Sequence, residues 1–336
     1  MKYIFVTIFS FFFQLSLGQT IKAKVVDEDS NPIEGVKVFF YKSTIMAHTN
    51  SSGIFEISKP AEVGNAYLFF YHPLYESLIE SETDDLLPVY QLSQKADNFY
   101  VNAYDNSPFS KKEMLSVLKR QLLGTGKNAR NSDIINLDKV FVEFDTSNNT
   151  LKAKSVNPLY IINENLGYHI EYHLEEFEVE FSARSLEDND IDFLFNSGYS
   201  YFKDVDRTKT KSRNKILESS FKYYLKEIIN DNYKSLKFNI VIKDKKIKPQ
   251  DLFQIKRENE NLYKISINNR FIDHQKDEYF SIEIGFYGKN ETKILKLYKP
   301  YFMVDKFGNI LNTEDFETID DISNNKLADL LPIDYN

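Results

Sequence analysis

The sequence predicts a mostly β protein: a small all-β sandwich followed by a larger, β-rich α+β domain with two helices. Three observations lead there. Between residues 20 and 94, short runs alternate apolar and polar side chains, and none keeps a 3.6-residue period over a useful length. Turn formers at 27–32 and 50–53 divide those runs. Beyond residue 110, strand-like runs continue, but two stretches repeat at helical spacing.

Composition sets the outer limits. The chain has 336 residues, 42% hydrophobic and 27% charged, enough for two domains and a core that needs no covalent staple. Those fractions exclude global disorder. The absence of cysteine excludes thiol catalysis, disulfide frameworks and cysteine-ligated zinc. A net charge of −8 argues against a nucleic-acid partner, because phosphate binding needs a positive surface. The unusual quantity is aromatic: 28 Phe and 22 Tyr with no Trp. Tyr67, Phe69, Phe70, Tyr71, Tyr75, Tyr199, Tyr201, Phe202, Tyr298, Tyr301 and Phe302 sit at strand-like positions and are expected to be mostly core. Any exposed tyrosines could form a platform for sugar or peptide.

In chain order, residues 1–18 read as a signal peptide. Lys2 precedes an apolar run, and Ser16-Leu17-Gly18 supplies small residues for cleavage before Gln19. The run is shorter than the roughly 20 residues a spanning helix needs, and no later stretch is apolar enough, so no transmembrane segment is expected. Residues 19–96 form the sandwich, with strands expected at 20–26, 36–41, 53–57 and 66–71. This module is expected to fold alone. Residues 97–112 are a polar linker broken at Ser107-Pro108. The domain at 113–336 opens with a helix: Ser110 and Glu113 form a capping box, Met114, Leu118 and Leu122 share a face, and Gly124 closes it. Strands follow at 140–144, 150–154, 159–162 and 168–177. A second helix is expected over 214–230, where Leu217, Phe221, Tyr224, Leu225 and Ile228 recur.

Certain phrases carry a resemblance. Val25-Val26-Asp27, Pro32-Ile33-Glu34-Gly35-Val36-Lys37-Val38 and His48-Thr49-Asn50-Ser51-Ser52-Gly53-Ile54-Phe55 together resemble the carboxypeptidase-like regulatory domain. Asn50 and Val36 replace that family's usual Asp and Ala. The resemblance implies a transthyretin- or immunoglobulin-like sandwich without catalytic residues, found beside carboxypeptidases and envelope receptors. Three later phrases resemble the region downstream of this module in exported Gram-negative bacterial proteins: Leu123-Gly124-Thr125-Gly126-Lys127-Asn128-Ala129, Asn165-Leu166-Gly167-Tyr168-His169-Ile170, and Ala328-Asp329-Leu330-Leu331-Pro332-Ile333-Asp334-Tyr335. They imply an envelope protein and say nothing about chemistry.

The candidate chemistry reads as structural. His173, Glu176 and His274 mimic the zinc set of metallocarboxypeptidases. However, 168–177 alternates as a strand with Tyr168, Ile170, Tyr172 and Leu174 inward, leaving His169, Glu171, His173 and Glu175 on a wet face. Residues three apart then point to opposite faces, and His169 and His173 lie roughly 13 Å apart at strand rise. His173→Ala is therefore expected to leave folding nearly unchanged. The glycines at 124 and 126 close a helix, whereas a dinucleotide fingerprint opens one, and Gln121 and Asn128 break a P-loop pattern. The acidic stretches 27–31 and 187–192 lack EF-hand spacing and read as a hairpin turn and a solvated loop. No Gly-x-Ser-x-Gly elbow occurs. No catalytic, cofactor-binding or metal residue is assigned, and no cofactor. The expected function is non-enzymatic binding or scaffolding in the periplasm or at the cell surface, with an envelope protein or a glycan as the partner. The rivals are an accessory protein of an outer-membrane receptor or transporter and a peptide or glycan hydrolase.

Overall fold

A computed structural model of the chain describes residues 19–59, 67–81, 87–95, 107–235, 239–272, 282–287, 292–311, 316–320 and 326–335. Residues 1–18, read as a signal peptide, most of the 97–112 stretch read as a linker, and His274 lie outside the described residues. The fold is mostly β, and among the described residues the α-helices all lie after residue 110.

The N-terminal module is built from β1 (Gln19–Val26), β2 (Lys37–Phe40), β3 (Met46–His48), β4 (Ile54–Lys59), β5 (Leu68–His72), β6 (Tyr75–Glu80) and β7 (Val89–Gln91). They make two sheets, ordered β4-β1-β7 and β3-β2-β5-β6, with β1 antiparallel to β4 and parallel to β7. Ile21, Ala23, Val25, Phe55 and Ile57 from one sheet meet Val38, Phe40, Leu68 and Phe70 from the other in one core. Alternation sends Val38 and Phe40 into that core, so Lys37 and Phe39 must face outward. All four β2 residues are nevertheless buried. Something else covers the outer face.

The cover is the central sheet. It comprises β8 (Ser132–Ile134), β9 (Phe141–Asp145), β10 (Thr150–Lys154), β11 (Leu159–Asn163), β12 (Tyr168–Phe181) and β13 (Ile191–Asp204), ordered β8-β11-β12-β10-β9 with β13 along the other edge of β12. Helix α1 (Lys111–Leu123) packs on one face through Met114, Leu118 and Leu122, joining Leu151, Ile161, Ile170 and Tyr172 in a second core. The expected capping box is present, and Gly124 takes φ 85°, a conformation that favours glycine, as the chain leaves the helix. Gly126 caps a short second helix, α2 (Lys127–Arg130), rather than a plain turn.

The helix expected over 214–230 is two helices, α3 (Thr210–Leu217) and α4 (Phe221–Ile229). The break is local chemistry: the Ser220 hydroxyl accepts from the Tyr223 amide and so caps a new helix. Helix α4 presents Phe221, Tyr224, Leu225 and Ile228 to a third core. Two sheets complete that core. One is ordered β15 (Lys245–Ile247), β14 (Asn239–Ile242), β18 (Ile282–Tyr287), β19 (Thr292–Leu297), β21 (Phe316–Asp320). The other is ordered β16 (Phe253–Arg257), β17 (Leu262–Ile267), β20 (Tyr301–Asp305), with the one-turn helix α5 (Pro249–Leu252) leading into β16. The span after residue 113 thus holds two cores. Among the described residues no helix is long and apolar enough to cross a membrane.

Candidate functional site

The face of β12 read as wet is exposed at His169 and Glu175 but covered between them, at Glu171 and His173. Strand β12 does alternate around Tyr168, Ile170 and Tyr172, but the sandwich sheet β3-β2-β5-β6 lies over the opposite side. Phe39, Phe69 and Tyr201 form a buried cluster there, with Met46, Tyr71, Ile79 and Tyr199 around it. His173 is 6% exposed, and its ring stands 4.8 Å from Phe69, 4.6 Å from Tyr71 and 5.6 Å from Phe39, centre to centre. Its Nε2 is buried without a hydrogen-bond partner. Burial, with Lys37 and Lys95 adding to it, pushes the His173 pKa down to about 3, so the imidazole is neutral. The expectation that His173→Ala leaves folding unchanged is therefore overturned: the residue belongs to an aromatic joint.

One ion pair crosses the same joint. Lys37 Nζ lies 2.6 Å from Glu171 Oε2 and 4.2 Å from the centre of the Tyr201 ring. Burial lowers the Lys37 pKa, and the Glu171 carboxylate offsets part of that shift. Backbone pairing extends the contact: the Lys42 amide donates to Ser200 O and the Phe202 amide donates to Ser43 O. Glu176, by contrast, is exposed beyond a register shift between Leu174 and Glu176, so it does not join His173.

The three downstream phrases converge in space. The Asn128 amide donates to Asp329 Oδ1 at 2.6 Å and accepts from the Asn165 amide, while Asn163 Nδ2 donates to Ala328 O. The Asp329 carboxylate faces Gly126, where a phosphate would have to sit in a nucleotide reading. Residues 326–335 continue as a strap. Lys326 Nζ donates to Gln121 O, the Ile333 amide donates to Lys42 O, and Ile333 O accepts from Lys222 Nζ. Asp334 accepts from the amide and hydroxyl of Thr44, and the Tyr335 hydroxyl donates to Asn214 Oδ1. Arg213, 3% exposed, ties α3 to the central sheet: it holds Asp204 through two nitrogens and donates to Leu166 O, Gly167 O and Asp206 O. In the acidic turn, Asp27 Oδ1 accepts from the amides of Asp29 and Asn31, which occupies its carboxylate within its own hairpin. The loop expected at 187–192 is a short 3₁₀ turn leading into β13. Among the described residues no three His, Asp or Glu side chains group as metal ligands.

A cleft of about 370 Å³ opens between the C-terminal end of α4 and β16. Ile228, Phe253 and Ile255 make its apolar floor, and Tyr233 and Tyr263 its walls. Asp231, Gln250 and Arg257 stand at the rim. Burial, with the neighbouring Asp231 carboxylate adding to it, raises the Tyr233 pKa. Arg257 donates from Nε to Asn259 O at 3.0 Å and from one terminal nitrogen to Glu260 O. No motif marks this site in the sequence, because its residues come from α4, α5, β16 and β17 and converge only on folding.

No family model matches the chain, and no curated protein matches it. A solved structure of a 9R-lipoxygenase from Cyanothece PCC8801 aligns with 91% of this chain at 11% identity and a TM-score of 0.18. The chain spans 42% of that protein's length.

Proposed function

We propose that the protein is a non-enzymatic binding or scaffold protein, exported to a bacterial cell envelope. The observation that carries this reading is how the chemistry-bearing side chains are used. His173, Lys37–Glu171, Arg213–Asp204 and Asn128–Asp329 are all committed to joining parts of the fold. Buried ionisable groups that serve catalysis are instead aimed into a pocket. The charged, apolar, small-residue order of residues 1–18 supports export, and the phrases at 25–55 support a regulatory-type module in an envelope protein.

Mass spectrometry of the protein recovered from an envelope fraction tests export. A mature N-terminus near Gln19 supports it, whereas an intact Met1 in that fraction overturns this route. Incubating the purified full chain with peptide and oligosaccharide substrates tests the non-enzymatic half. Turnover that follows the protein through successive purification steps would replace this reading with a hydrolase.

A further inference from the structure

We infer that the outer edge of β13 pairs with an extended segment of a partner protein in which apolar residues alternate with lysine or arginine. The inference rests on the binding reading above and gives it a partner class. Strand β13 borders β12 along one side. Its other side is an edge, and the chain itself uses one end of it. There the Lys42 amide donates to Ser200 O and the Phe202 amide donates to Ser43 O, so the segment after β2 already adds to the sheet. Alternation then turns the N–H and C=O of Leu194, Asn196 and Gly198 toward the same edge. Among the described residues, none of these three has a hydrogen-bond partner on that side. Native edges are commonly blunted by lysine, proline or a covering element. Between Phe193 and Tyr199 there is neither lysine nor proline. The stretch is therefore open to strand addition.

The flanking side chains decide the occupant. Phe193 and Phe195 are 47% and 42% exposed, on the same face of β13 as Tyr199 and Tyr201, against which the sandwich packs. Register sets Phe193 opposite Glu180, Phe195 opposite Glu178 and Ser197 opposite Glu176, so an acidic ladder runs beside the two rings. Lys152 lies 3.3 Å from Glu178, but among the described residues Glu176 and Glu180 have no cation. An added strand lies two strand spacings, about 10 Å, from that ladder, a gap that lysine or arginine closes by laying its stem across a phenylalanine ring. The intervening side chains fall beside Leu194, half-buried at the margin of the core under α1, and are therefore apolar. A second copy of this chain fits less well. Its β13 carries no cation from Ile191 to Phe202 and brings another acidic ladder, so like charges oppose the pairing.

Fluorescence anisotropy with the purified full chain tests the inference. The labelled probes are Lys-Val-Lys-Val-Lys-Val-Lys, the block-ordered Lys-Lys-Lys-Lys-Val-Val-Val, and Glu-Val-Glu-Val-Glu-Val-Glu. The alternating basic peptide should bind, and the other two should bind at least about tenfold more weakly. Hydrogen exchange should show new protection at the amides of Leu194, Asn196 and Gly198, and none at Phe193 or Phe195, whose amides already face β12. Asn196→Pro removes an outward N–H, and Glu180→Lys reverses one rung of the ladder; each should weaken binding about tenfold. Thermal melts establish that both variants are folded, and if either is not, the exchange pattern of the wild type decides. Absence of binding, equal binding of the block-ordered peptide, or protection away from residues 193–199 overturns the edge assignment and leaves the scaffold reading standing. So does a dimer formed through β13 that excludes the peptide. Cleavage of the bound peptide does the reverse: it overturns the non-enzymatic reading and keeps the edge as the binding site.

Discussion

Around Tyr172 and His173 both faces of β12 are buried, by opposite means. On one face Tyr168, Ile170 and Tyr172 pack beneath α1 in an aliphatic and aromatic core. On the other, Glu171 and His173 lie under the sandwich sheet, where Lys37 supplies the counter-charge and Phe39 and Phe69 supply the rings. The first face is buried by the residues it carries. The second is buried by what its partner carries, because a polar strand face becomes core when the facing module brings both an ion-pair partner and aromatic surface. The first arrangement tolerates a change of pH; the second contains a histidine that folding forces to stay neutral.

The largest expected effect comes from removing the ring that the second face depends on. Phe39 is fully buried between two modules. Phe39→Ala is expected to cost about 3–5 kcal/mol, the range for deleting a buried aromatic side chain. Chemical denaturation followed by tyrosine fluorescence measures it. A loss no larger than that of an exposed substitution would mean the sandwich does not rest on β12 in solution. Arg213→Met is expected to fall in a similar range, because Asp204 and three backbone carbonyls lose their donor. That substitution should leave the Phe39 joint intact, so the two losses should add when combined.

Much of the first face was legible in the sequence, and little of the second. Alternation placed β1, β10, β11 and the start of β12 nearly to the residue, and Ser110 with Glu113 marked the start of α1. These are local rules, so local sequence carries them. His169, Glu171, His173 and Glu175 read as wet because a polar, period-two face is solvated in most sheets; His169 and Glu175 are exposed, whereas Glu171 and His173 are covered. The covering residues, Lys37, Phe39 and Phe69, lie about a hundred or more positions away. The clue that could have been used was in β2 itself: Lys37-Val38-Phe39-Phe40 is too apolar for a strand with one solvated face. Phe193 and Phe195 of β13 were not singled out as surface residues, and both are exposed beside the acidic ladder of β12. The cleft was illegible for a different reason: its residues share no motif and meet only through tertiary packing.

A further prediction sharpens the contrast through pH. The His173 pKa is about 3 when folded, against an ordinary value near 6.5 when unfolded. Between those values the unfolded chain binds the proton and the folded chain does not. Stability from this group is therefore complete above the unfolded pKa and falls as pH drops from about 6.5 toward 3, by at most about 1.4 kcal/mol per unit. Glu175, whose carboxyl is pushed up by burial and by Glu76, acts in the opposite sense near the carboxylate range. The difference between wild type and His173→Leu isolates the histidine. The variant should be nearly as stable at neutral pH, since the replacement is apolar and removes an unpartnered Nε2, and it should lose less stability on acidification. Parallel pH profiles of the two proteins would mean His173 is not held neutral in the joint.

The strap comes next in size. Asp334 accepts two hydrogen bonds from Thr44 and so ties residues 326–335 to the sandwich. Asp334→Ala is expected to cost roughly 1 kcal/mol, because half-buried Thr44 loses an acceptor for both its amide and its hydroxyl. Hydrogen exchange should localise the change to residues 42–45 and 333–335, with β12 unchanged. Faster exchange across the whole sandwich would show that the strap, rather than the aromatic joint, seats the module.

The smallest effect separates an ion pair within the sandwich from the one that crosses the joint. Lys22 and Glu56 meet at 2.5 Å, as close as Lys37 and Glu171 at 2.6 Å. Distance therefore cannot rank them. Exposure can: both side chains of the first pair are more than half exposed, whereas Lys37 is 11% exposed and Glu171 27%. In water the first pair gains little, because high dielectric weakens the attraction and two long side chains lose freedom. Lys22→Ala is expected to change stability by less than about 1 kcal/mol, and by still less at high salt. Lys37→Met leaves Glu171 charged beneath a hydrophobic sheet and is expected to cost about 3–5 kcal/mol. Adding Glu171→Leu to Lys37→Met should recover most of that loss, because the stranded charge is then gone and the joint is already aromatic. If the double variant is no better than Lys37→Met alone, the pair contributes more than relief from its own burial.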